Sequence, residues 1–102
     1  MTSGNLFTNA APPPEGERFT ILHQSVGLTI ERIVSSRAPA SGEYDQPHDE
    51  WVLLLGGEAE LEVAGERRSL VAGDYVHLPA HTKHRVLRTS EGALWLAVHQ
   101  PK

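Results

Sequence analysis

The sequence predicts an all-β domain, a small antiparallel barrel or double sheet, on three observations. Short runs rich in β-branched and aromatic residues recur from Phe19 onward. Gly- or Pro-containing breaks separate them, and no ten-residue segment keeps helical periodicity with recognisable caps. The run Glu58-Ala59-Glu60-Leu61-Glu62-Val63 alternates strictly, which places Ala59, Leu61 and Val63 on one face and three glutamates on the other.

Taken in order, residues 1–18 read as an extended arm. Ala10-Ala11-Pro12-Pro13-Pro14 cannot build a core, and Leu6 and Phe7 are the large apolar groups available to drape over a sheet. The domain proper spans 19–102. Phe19 to His23 forms the first strand. Leu28 to Val34 forms the second, with Leu28, Ile30, Arg32 and Val34 alternating with Thr29, Glu31 and Ile33. Ala38-Pro39-Ala40-Ser41-Gly42 breaks the chain before a polar segment, Asp45-Gln46-Pro47-His48-Asp49-Glu50, which runs into the apolar strand Trp51 to Leu55 and a double glycine, Gly56-Gly57. Ala64-Gly65-Glu66 turns the Glu58 strand back into Arg67 to Val71, and Ala72-Gly73-Asp74 turns again into Tyr75 to Pro79. His84 to Arg88 and Ala93 to His99 complete the set, separated by Thr89-Ser90-Glu91-Gly92.

A chain of 102 residues makes one domain. It has no apolar run near the roughly 18 residues of a membrane span, so a soluble protein without membrane partners is expected. Met1-Thr2-Ser3-Gly4-Asn5 lacks the basic and apolar regions of a secretory signal, from which a cytoplasmic setting follows. The net charge is −4, with the basic residues scattered, which argues against nucleic acid. Arg67-Arg68 reads as a solvated strand face. The absence of cysteine excludes disulfides and thiolate metal sites.

Any metal must then be held by nitrogen and oxygen, and the six histidines become the residues to explain. If the strand continues back from Trp51, Gln46, His48 and Glu50 share a face, at roughly 6 to 7 Å between alternate Cα atoms. His81, after Pro79-Ala80, reads as a rim residue able to serve as a further ligand. His23, His77 and His99 read as structural or exposed. Tyr44, Trp51, Tyr75 and Trp95 are available to line a pocket, with Trp51 facing away from Glu50.

Two stretches resemble the motifs of the cupin superfamily. Its second motif, G-x5-P-x-G-x2-H-x3-N, is matched at Gly73, Pro79 and His84, with His81 at the middle glycine and Arg88 at the asparagine. The first motif, G-x5-H-x-H-x3,4-E-x6-G, fits in two registers. Anchoring on Glu50 and Gly57 leaves Tyr44 and Gln46 at the two histidines; anchoring on Gly42 and His48 leaves Glu50 at the second histidine. The first register keeps Glu50-Trp51-Val52-Leu53-Leu54-Leu55-Gly56-Gly57 as the family's strand and turn.

The resemblance implies a double-sheet jelly roll, commonly a homodimer, in which His84 meets Glu50 from a neighbouring strand. His48, Glu50 and His84, with Gln46 and His81 in reserve, would then hold a divalent ion, Fe, Mn, Ni or Zn, with open positions for a small organic molecule. A dioxygenase, isomerase or decarboxylase would suit such a centre. The alternatives are a metal-free domain that binds or senses a small ligand, and a structural dimer module.

Overall fold

The computed structural model describes residues 1–40 and 42–100; Ser41 of the expected break and the last two residues of the expected domain lie outside them. Eight strands follow in order: β1 (Glu17–Ser25), β2 (Leu28–Ser35), β3 (Asp49–Gly56), β4 (Glu58–Val63), β5 (Glu66–Val71), β6 (Tyr75–Leu78), β7 (His84–Thr89) and β8 (Ala93–Gln100). They form a five-stranded sheet in the order β1-β2-β8-β3-β6 and a three-stranded sheet in the order β5-β4-β7, all pairs antiparallel. No helix occurs among the described residues, none therefore long and apolar enough to cross a membrane. This is the all-β double sheet that the alternating runs predict, in the jelly-roll form that the resemblance implies.

The core lies between the sheets and follows from period two. In β3, Glu50, Val52 and Leu54 point inward while Trp51 and Leu53 point out. Beside β3 in the same sheet β8 contributes Ala93, Trp95 and Ala97, and across the gap β4 contributes Ala59 and Leu61. Trp51 faces away from this core, its ring 5.7 Å from that of Tyr75.

Local turns fix the registers. The β4–β5 hairpin has a two-residue loop, Ala64-Gly65, with φ of 50° and 80°, so Glu66 already pairs with Val63 rather than belonging to the turn. Gly57 at φ 85° turns β3 into β4 against the β7–β8 connection, where Ser90 Oγ accepts from Glu58 N at 2.9 Å.

One expectation fails at the site's edge. β3 begins at Asp49, and residues 45–48 are loop, so Gln46 and His48 do not share a strand face with Glu50. Pro47 offers no N–H to a ladder, and Gln46 O is taken instead by His81 N at 2.7 Å.

The first sixteen residues carry a turn at Leu6–Asn9 and no strand. Arg32, which alternates with inward-facing Glu31 and Ile33 and so points outside, donates to the carbonyls of Leu6 (3.1 Å), Thr8 (2.7 Å) and Asn9 (3.4 Å). Arg18 adds a bond to Ala11 O at 3.0 Å. The arm is thereby tied along the outer face of β1 and β2.

Candidate functional site

A cavity of about 100 Å³ opens between the sheets, lined from β1, β2, β3, β4, β6, β7 and β8 and by Tyr44 and Gln46 of the segment before β3. Its apolar floor includes Ile33, Val52, Leu61 and Trp95. Glu50 projects into it from the start of β3 and is 7% exposed. Among the described residues none donates a hydrogen bond to Glu50. His84 Nε2 lies 3.9 Å from its Oε1 and His99 Nε2 4.0 Å from its Oε2.

His84 is set by two interactions. A backbone bridge joins it to Tyr44, with N–O distances of 2.7 and 3.0 Å, and stacks the two rings at 5.5 Å. Its Nδ1 lies 3.0 Å from the carbonyl of Thr82. A carbonyl only accepts, so Nδ1 carries the proton, and in the neutral ring the Nε2 lone pair faces Glu50.

His99 and Glu31 are the site residues that sequence reasoning missed. His99 lies directly opposite Glu50 across the β3–β8 pair. Its Nε2 is 2.7 Å from Glu31 Oε1 and its Nδ1 is 3.0 Å from His48 Nε2. With Glu31 as carboxylate acceptor, His99 donates through Nε2 and receives His48 N–H on Nδ1. The available signal was period two: Trp95, Ala97 and His99 share a face, as do Glu31 and Ile33.

The remaining expected residues part company. Gln46 lines the cavity. His48 reaches its neighbourhood only through His99. His81 is exposed, at φ 62° where the resembled motif has glycine, and its Nδ1 lies 3.1 Å from Asp45 Oδ1. Arg85 pairs with Glu62 at 3.1 Å. Arg67 and Arg68 pair with Glu60 and Glu66, both at 3.2 Å, on an exposed face.

Burial holds the Glu50 carboxyl above its ordinary pKa. His99 and then His84 pull it back, Glu31 pushes it further up, and His48 opposes weakly. Burial also raises the Tyr44 phenol, with Glu17 and Glu50 adding to it.

A divalent metal needs three or more protein donors in such a site. Glu50 and His84 are two of suitable type. The others are engaged, His99 with Glu31 and His48, His81 with Asp45. Among the described residues no group of three His, Cys, Asp or Glu is placed to hold an ion. The donor set therefore does not fit a metal centre, and Tyr44 and Gln46 stand where two histidines would complete it.

The family model described as "Cupin domain" matches residues 34–99. A solved structure from Ralstonia eutropha JMP134, described as a candidate mannose-6-phosphate isomerase, superposes with a TM-score of 0.90 at 40% identity, covering 100% of both chains. The quercetin 2,3-dioxygenase of Bacillus subtilis (strain 168) is 49% identical over 35 residues, 34% of this chain and 10% of that protein. An uncharacterized protein of Aquifex aeolicus (strain VF5) is 34% identical over 58 residues, 57% of this chain and 48% of that one. The chain thus matches about half the length of one curated relative and a tenth of the other.

Proposed function

The chain belongs to the cupin family, and on that footing we propose that it binds a small organic molecule in the cavity between its sheets, with Glu50 and His84 as the polar centre that meets the ligand. The observation that carries this reading is the Glu50 side chain, buried, aimed into the cavity and without a hydrogen bond from the described residues. The flanking histidine nitrogens, 3.9 and 4.0 Å away, are too far to hydrogen-bond, so a ligand's polar group entering the cavity meets a largely desolvated carboxyl with acceptor capacity to spare.

The two groups differ in what they offer. Glu50, with its pKa raised, keeps its proton to higher pH than an ordinary carboxyl and can donate it. His84, with Nδ1 committed to Thr82 O, presents Nε2 to accept one. The chemistry available to this pair is proton transfer, of the kind an isomerisation uses. The candidate isomerase of Ralstonia eutropha is the relative whose reaction type is compatible with it.

The alternative of a resident Fe, Mn, Ni or Zn ion rests on the family and on the orientation of His84 Nε2 towards Glu50. It lacks a third donor among the described residues.

Thermal-shift screening of chelator-treated protein against uncharged, cationic and anionic metabolite-sized compounds tests the proposal. A saturable rise in Tm is expected for at least one compound, with affinity weakened tenfold or more in Glu50→Gln and in His84→Gln. Binding that neither substitution disturbs would move the ligand out of this cavity.

A further inference from the structure

The same cavity carries an electrostatic signature that narrows its ligand. Three carboxylates line it, Glu17, Glu31 and Glu50, and among the described residues neither lysine nor arginine does. Two arginines on the lining strands are used elsewhere: Arg32 holds the arm on the outer face and Arg85 pairs with Glu62. Each carboxylate retains a free acceptor. Glu17 Oε2 receives Ser35 Oγ–H at 2.6 Å, itself bonded from Trp95 Nε1 at 3.0 Å, which leaves Oε1. Glu31 uses Oε1 for His99 and keeps Oε2. Glu50 keeps both.

The histidines do not reverse the sign. With both neutral the lining is acidic, and with one protonated it stays so even where Glu50 holds its proton, because Glu17 and Glu31 remain. The apolar walls focus this field rather than screening it, and Phe19, Tyr44 and Trp95 add aromatic surface attractive to a cation. The acidic groups also lie at two ends. Glu17 pairs with Ser35, four residues along β2 from Glu31, roughly 13 Å at strand rise.

Resting on the reading of the cavity as a ligand site, we propose that it selects a small organic cation, an alkylammonium whose charged head lies by Glu31 and Glu50 and whose apolar body lies on Trp95 and Ile33. An ammonium has three donors and no acceptor, which suits a wall of acceptors. An anion, a phosphorylated sugar included, would face repulsion and no counter-charge. Substrate charge would thus set this chain apart from a protein acting on mannose 6-phosphate.

Three probes of one shape test this: 3-methylbutylamine, 3-methylbutanol and 3-methylbutanoate, titrated at low and high salt and followed by amide NMR shifts around the cavity. The amine is expected to bind at least tenfold more tightly than the alcohol, to weaken with salt, and to lose that advantage in Glu31→Gln and in Glu50→Gln. Glu17→Gln, at the cavity's other end, is a second acidic variant should either of those fail to fold; it is expected to weaken the amine and leave the alcohol unchanged. Equal binding of amine and alcohol, or tighter binding of the carboxylate, would overturn the charge preference and leave the ligand site standing. Binding by none of the three would overturn the charge preference as well, and the uncharged and anionic compounds of the thermal-shift screen then decide separately whether the cavity binds any ligand.

Discussion

Glu50 is the residue on which chemistry and stability meet. Its pKa is raised in the folded protein, so between the ordinary carboxylate range and that raised value the folded state binds more protons than the unfolded one. Stability therefore falls as pH rises through that window, and the cost of burying the charge is complete above it. Glu50→Gln removes the cost. The variant is expected to match the wild type near pH 4 and to become progressively more stable towards pH 7, as read by Tm across a pH series; a constant offset at all pH values would contradict the assignment. Glu50 and His84 were legible as a facing pair because the chain keeps E-x6-G and the second motif's histidine. His48 was misplaced because alternation was extended backward through Pro47, which ends the strand. His99 was passed over because its role depends on which strand lies opposite Glu50, and a single strand's pattern does not contain its partner.

Strands were the most legible elements, since period two shows directly in Glu58 to Val63, in Val52 and Leu54, and in Trp95 and Ala97. Their cross-pairing was not legible, because β2 lies beside β8 some sixty residues away, and only the packed core decides that. Turns occupy a middle position. Gly57 sits at φ 85°, and a Cβ there would lie 2.6 Å from Ser90 Oγ and 3.0 Å from Ala93 Cα. Gly92, at φ 79°, has nothing within 4 Å of the corresponding position. Gly57→Ala is expected to cost at least about 2 kcal/mol, against about 1 kcal/mol for Gly92→Ala, where only the backbone conformation is strained. For a domain of this size the first corresponds to a fall in Tm of roughly 8–16 °C, and equal losses in the two variants would show that the β3–β4 turn is not closely packed. Arg32 makes three of the side-chain bonds that hold the arm, and Arg18 a fourth. Arg32→Ala removes three hydrogen bonds to it and is expected to raise amide exchange over residues 6–9 at least tenfold while costing the domain about 1 kcal/mol, with exchange in β3 and β8 unchanged.

At the scale of the molecule, a five-stranded sheet faces a three-stranded one, and the mismatch has two results. The narrower sheet leaves the cavity accessible, and it leaves β1 as an edge with Phe19 56% and Ile21 57% exposed. Open edges carrying apolar side chains are covered in most β proteins, so a homodimer through β1 is the proposed assembly. Sedimentation velocity is expected to give a dimer at micromolar concentration, shifted towards monomer by Phe19→Glu with Ile21→Glu; a wild-type monomer at high micromolar concentration would refute it. This cupin combines a cavity between its sheets with a donor set that does not fit a metal. Elemental analysis of untagged protein, purified from metal-replete cells and dialysed without chelator, tests it most directly. Less than about a tenth of an equivalent of Fe, Mn, Ni and Zn combined is expected, in the wild type and in His84→Ala alike. One equivalent in the wild type, lost in His84→Ala, would contradict it and restore Glu50 and His84 as ligands of a metal centre.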